Sequence, residues 1–134
     1  MVKGSCQCGA VRYEADGLLP TVYKCYCEFC RKISGGAFQA VIGASGFRVT
    51  AGADAIAKFN VTPTYDRHHC SKCHTFLYGQ VTVAPGIPPY VAVGSIDEGA
   101  PGEAPTEHLF VRSKVAWHEI GEGGTRHDSY PPMG

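Results

Sequence analysis

The sequence has almost no net charge, twelve Lys and Arg facing twelve Asp and Glu across 134 residues. That balance gives no basic patch of the kind that neutralises a phosphate backbone, so nucleic acid is not an expected partner. Runs of apolar residues long enough to cross a bilayer are missing, and the stretch Met1-Val2-Lys3-Gly4-Ser5-Cys6 has no apolar core for a signal peptide. No membrane association is expected, and the expected location is the cytoplasm. A long amphipathic helical pattern is also lacking. With 44% hydrophobic residues the chain fits a single domain over residues 1–134 with a modest core.

What the chain does have is cysteine. Seven fall in short clusters: Cys6-Gln7-Cys8, Cys25-Tyr26-Cys27-Glu28-Phe29-Cys30 and Cys70-Ser71-Lys72-Cys73. In a reducing compartment an odd number of thiols at C-x-C and C-x-x-C spacing favours metal ligation over a disulfide framework, with a redox-active dithiol as the competing chemistry. Zinc is the expected ion. The two pairs together supply four thiolates, as a structural site needs, and the triple is left with a fourth position open. A four-ligand set drawing on the triple would strand three other thiols. If Cys25 and Cys27 lie on an extended segment, its two-residue period points both sulfurs one way, and the turn that follows swings Cys30 round to join them.

Local patterns describe a mainly β, turn-rich chain. Over residues 10–15, Val11, Tyr13 and Ala15 alternate with Arg12 and Glu14 as in a half-buried strand. Residues 21–27 read as extended, with Gly17 and Pro20 bracketing the turn before them. A helical turn over 28–34 must stop at Gly35-Gly36. Further short strands are expected at 37–42, 47–50, 57–61, 76–83, 90–93 and 108–112. Residues 94–105 read as a loop, and 121–134 as an irregular tail. Phe110 and Trp117 are expected in the core.

Around an open zinc with three thiolates the charge is net negative, which makes the centre a poor source of hydroxide and a good place for a soft fourth ligand. A substrate thiol fits that position. Held as a thiolate it could attack an aldehyde carbon, or leave from a carbon–sulfur adduct. Arg31 and Lys32, directly after the triple, would offset the negative centre or meet a substrate carboxylate, or else form a solvated pair. Gly35-Gly36 admits close backbone approach of a ligand, or simply a turn. His108 is a candidate general acid or base, or a hydrogen-bonded strand histidine. His68 and His69 suit supporting roles beside Cys70 better than ligation.

The chain resembles the family of glutathione-dependent formaldehyde-activating enzymes and centromere-protein-V-like domains. The resemblance rests on Gly4-Ser5-Cys6-Gln7-Cys8-Gly9-Ala10-Val11, on Cys25 to Lys32 with Gly35 and Phe38, and on Arg67-His68-His69-Cys70-Ser71-Lys72-Cys73. Val93 to Asp97 and His108 to Lys114 with Trp117 complete it, from residue 4 to about 120. It implies the small Mss-four-like fold of short antiparallel strands, a structural zinc on Cys6, Cys8, Cys70 and Cys73, and a catalytic zinc on Cys25, Cys27 and Cys30. The implied activity is that of a carbon–sulfur lyase of the S-(hydroxymethyl)glutathione synthase type, joining glutathione to formaldehyde or reversing that step. A non-catalytic zinc domain that binds a protein partner, and a redox-controlled thiol switch, are the competing readings. Two positions depart from the family pattern: Tyr26 stands where the family usually has His, and His74 where it usually has Gly. Tyr26 is expected to alter the surface beside the metal, and His74 the turn after Cys73.

Overall fold

The alternation at Val11, Tyr13 and Ala15 does what its period requires: all three are buried, and Arg12 is exposed. The computed structural model describes residues 1–130. Among these the elements run β1 (Val2–Ser5), β2 (Arg12–Ala15), β3 (Gly17–Cys25), α1 (Glu28–Ser34), β4 (Gln39–Ser45), β5 (Arg48–Ala51), β6 (Ile56–Thr62), β7 (Tyr65–Cys70), β8 (Phe76–Val81), β9 (Tyr90–Ala92), β10 (Ile96–Glu98), β11 (Thr106–Leu109) and β12 (Thr125–Arg126). Three short 3-10 turns punctuate them. The chain is mainly β, as its composition implies.

Two sheets form. The smaller has the order β10-β1-β2-β5 and the larger β12-β11-β3-β4-β9-β8-β7-β6. All pairings are antiparallel except β3 with β11 and β11 with β12, which are parallel. Between the sheets lie Val2, Val11, Tyr13, Ala15, Val22, Ile42, Ala44, Leu77 and Val91, and with them the thiols of Cys6 and Cys70. The four-cysteine group is therefore anchored in the core through Cys6 and Cys70, with Cys73 packed against it and Cys8 exposed.

Helix α1 has the expected bounds. Gly35 ends it with φ of 74°, a left-handed cap whose N–H donates to the Arg31 carbonyl. Several expectations need correction. Gly17 and Pro20 do not bracket a turn: β3 starts at Gly17 and runs through Pro20, with its register shifting between Leu18 and Val22, where a residue lacking an N–H is tolerated. The strand ends at Cys25, not Cys27. Residues 94–105 are not all loop, because Ile96–Glu98 pairs with β1. Only Thr106–Leu109 is extended near His108, and a 3-10 turn, Val111–Ser113, follows. Within the tail, Thr125–Arg126 adds an edge strand to β11, and residues 131–134 lie outside the described residues. Trp117 is 72% exposed rather than core, and Phe110 is half-buried.

Candidate metal centres

Two groups of thiols come together, each with all its sulfurs within 4.8 Å of one another: Cys6, Cys8, Cys70 and Cys73, and separately Cys25, Cys27 and Cys30. No disulfide links any of them. The seven thiols thus divide as the sequence suggests.

In the first group two tight turns present the sulfurs. After β1, the Gly9 N–H donates to the Cys6 carbonyl and the Val11 N–H to the Cys6 sulfur, 3.3 Å away. After β7, the N–H groups of Lys72 and Cys73 point at the Cys70 sulfur, at 3.4 and 3.5 Å. Thr75 ties the two turns together, its hydroxyl lying 3.2 Å from the Cys73 sulfur and accepting the Gln7 N–H at 3.1 Å. Such N–H donors favour thiolate over thiol. Cys73 accordingly is lowered to about 5, with the Thr75 side chain the largest cause and the Thr75 backbone the next.

His74 closes the second turn with φ of 64°. The residue thus adopts the left-handed conformation that glycine takes freely and carries its strain. We expect His74→Gly to raise stability by about 0.5–1 kcal/mol, the strain of a left-handed residue less glycine's chain entropy. Chemical denaturation would show the gain as a higher midpoint. A lower midpoint would mean that the imidazole repays its strain.

The second group is assembled from three kinds of backbone. Cys25 is the last residue of β3, Cys27 is the extended cap of α1 at φ −68° and ψ 161°, and Cys30 lies buried in the helix. Cys27 accepts the Cys30 N–H at 3.4 Å, and the Cys25 thiol donates to the Cys27 sulfur at 3.4 Å. Convergence thus depends on the strand-to-helix junction as well as on the period of two. The neighbouring Cys25 thiol, helped by the Arg67 charge, lowers the Cys30 thiol against the upward push of burial. Cys25 is pushed up in turn by its closeness to Cys30 and by burial.

Arg67, on β7, was not singled out from the sequence. Its guanidinium donates from Nη2 to the Cys30 sulfur at 3.1 Å. The rings of Phe76, Phe29 and Tyr65 surround it, with centroids 4.7, 5.0 and 5.9 Å from Cζ. Phe29 in turn stacks on Phe59 of β6, so α1 rests on the β6–β7 hairpin. The only hint in the sequence was Arg67's place in the Arg67-to-Cys73 motif, which says nothing of its burial.

The other candidates lie elsewhere. In the parallel β3–β11 pair, Lys24 faces His108 and Cys25 faces Leu109, and strand alternation sends these two pairs to opposite sides of the sheet. His108 is buried, with Nδ1 2.8 Å from the Tyr26 hydroxyl. Burial lowers its pKa, and Lys24 adds to the effect. A cleft of about 670 Å³ opens on Lys24, His108 and the 121–125 segment, and no cysteine lines it. Tyr26 is only 1% exposed, packed against Phe38, His108 and His118. It therefore does not shape the surface beside the triple. Lys32 forms an exposed ion pair with Glu28 at 3.1 Å, the ordinary i,i+4 arrangement of a solvated helix face. Arg31 is half-buried and its Nε has no partner, while Gly35 is exposed at the helix end.

Comparison with known proteins identifies relatives of the chain. A Halomonas elongata protein named "Putative glutathione-dependent formaldehyde-activating enzyme" is 32% identical over 130 residues, which cover 90% of this chain and 81% of that protein. A Rhodobacter sphaeroides protein of known crystal structure superposes with a TM-score of 0.60 at 29% identity, over 78% of this chain and 98% of the other. The family described as glutathione-dependent formaldehyde-activating enzyme matches residues 1–113, which hold all seven cysteines. The chain belongs to that family.

Proposed function

We propose that the protein is a zinc-dependent carbon–sulfur lyase of the S-(hydroxymethyl)glutathione synthase type, joining a thiol such as glutathione to a small aldehyde such as formaldehyde, or cleaving the adduct. The observation that carries this reading is the unequal size of the two thiol groups. Cys6, Cys8, Cys70 and Cys73 make a closed set of four, whereas Cys25, Cys27 and Cys30 make a set of three with no fourth His, Cys, Asp or Glu in the group among the described residues.

The donor sets suit zinc. All seven are soft sulfurs, Cys73 and Cys30 already favour the thiolate, and a buried cation stands beside the triple. An ion held by Cys6, Cys8, Cys70 and Cys73 has a structural role. A second ion, held by Cys25, Cys27 and Cys30, would supply a soft Lewis acid that keeps a substrate thiol ionised. In the synthetic direction the thiol loses its proton and its sulfur lone pair forms the bond to the aldehyde carbon. The C=O π electrons move to oxygen, which takes up a proton, giving the hydroxymethyl thioether. No redox partner is needed. The chain's own contribution is to hold three sulfurs on one side of the reacting centre, leave the fourth side to substrate, and wall the site with Phe29, Phe76 and Tyr65.

X-ray absorption of anaerobically purified, zinc-loaded protein tests this. The expected free state averages about 3.5 sulfurs per ion, seven thiolates over two ions with one light ligand. Excess glutathione should raise the average toward four. An average that does not move would mean that glutathione does not bind through sulfur, and would favour a zinc domain that binds a protein partner.

A further inference from the structure

A cation buried without an anion is among the least favourable arrangements a fold can contain. Arg67 is 6% exposed, and two of its three guanidinium nitrogens, Nε and Nη1, have no hydrogen-bond partner. Among the described residues it forms no ion pair. The neighbouring carboxylate, Asp66, is turned instead toward Asn60, 2.8 Å away, and Lys58, at 4.0 Å. The aromatic faces of Phe29, Phe76 and Tyr65 supply a partial, quadrupolar compensation. Among the described residues the single side-chain hydrogen bond of Arg67 is Nη2 to the Cys30 sulfur.

A metal ion held by the three neighbouring thiolates would supply the missing anion. One divalent ion held by three thiolates is net negative, and a fourth thiolate adds a further negative charge. On the reading proposed above, such a centre buried beside aromatic rings would repel the ligand it has to bind. We propose that Arg67 is the built-in counter-cation of the Cys25, Cys27 and Cys30 centre, a positioning residue that retains the ion there and lets the centre accept an anionic sulfur as its fourth ligand. The guanidinium suits this role better than an ammonium would at first contact, because its flat face lies on the rings while one edge reaches the sulfur. Among the described residues neither Arg31 nor Lys32, nearer in sequence, forms a side-chain hydrogen bond with the three sulfurs.

The test uses the full chain loaded with Co(II), whose sulfur-to-metal charge-transfer and d–d bands report each centre. The probe is 2-mercaptoethanol, a thiol with no carboxylate for an arginine to grip. Wild type is expected to hold two ions per chain and to change its spectrum as thiol enters. Arg67→Met should keep the four-cysteine spectrum and the β-sheet circular dichroism. It should lose the three-cysteine ion to a competing chelator about ten- to hundredfold more readily, as expected for a lost supporting partner of a metal site, and need correspondingly more thiol. Arg67→Lys, which keeps the charge, should recover most of both properties.

Equal metal retention and thiol response in wild type and Arg67→Met would overturn the assignment. So would equal losses in Arg67→Met and Arg67→Lys, which would make the role one of shape rather than charge. A wild type that holds one ion, or ignores thiol, would refute the function proposed above and the role of Arg67 with it. A wild type that responds while Arg67→Met matches it refutes Arg67 alone.

Discussion

Cys70→Ser is expected to unfold the protein. Cys70 is fully buried at the end of β7, in the core shared by the two sheets, and its sulfur receives the Lys72 and Cys73 N–H groups. Serine there is a poorer zinc ligand and leaves a hydroxyl in an apolar surround. A structural zinc contributes about 10–16 kcal/mol, against a net stability of about 5–15 kcal/mol for an ordinary domain. Losing a quarter of its ligands therefore puts the whole margin at stake. Far-ultraviolet circular dichroism should show loss of β structure, and metal analysis loss of the ion. A folded Cys70→Ser protein with both ions in place would show that the four-cysteine group does not hold the fold together.

The reverse pattern is expected for Cys27→Ser. Cys27 is half-buried and caps α1, a position where serine is among the most favourable residues, so the helix should survive the change. What goes is one of three sulfurs at the proposed reacting centre. Activity in joining glutathione to formaldehyde should fall by more than about a hundredfold, beyond the upper end of what losing a mere supporting partner costs. Thermal unfolding should shift little. If Cys27→Ser and Cys70→Ser damaged folding equally, the reason for calling the triple catalytic would be gone.

The clustering of the thiols was legible from spacing, because thiols three or fewer residues apart must share a turn or a strand end, and their division into four and three from the count of ligands a closed site needs. So were β2, whose buried positions alternate, and α1, which two glycines stop. Strand β7 was not legible. Asp66, Arg67, His68 and His69 offer no apolar alternation, and their burial depends on partners brought in from β6, β8 and α1. Strand β10 was hidden for a related reason, since Ile96–Glu98 is short, sits in a glycine- and proline-rich stretch, and is extended because β1 lies beside it. Trp117 reads as core by size alone, yet size does not say whether a neighbouring surface exists to cover it. Tyr26 looks like a surface neighbour of the metal because it lies between two ligands in sequence, but adjacent residues here project to opposite sides.

Strand β7 carries both Arg67 and Cys70, three residues apart and so on opposite faces, which makes it the common wall of the two thiol groups. If both groups hold ions as proposed, this orders their filling: Cys25, Cys27 and Cys30 emerge together and can gather an ion early, whereas Cys6 and Cys8 must wait for Cys70 and Cys73. The hairpin that delivers the late pair would also deliver Arg67, the charge proposed for the early centre. The dependence would then run one way: a chain that loses its early ion would keep its frame, while one that loses the late ion would loosen β7 and strip the other centre of its counter-charge.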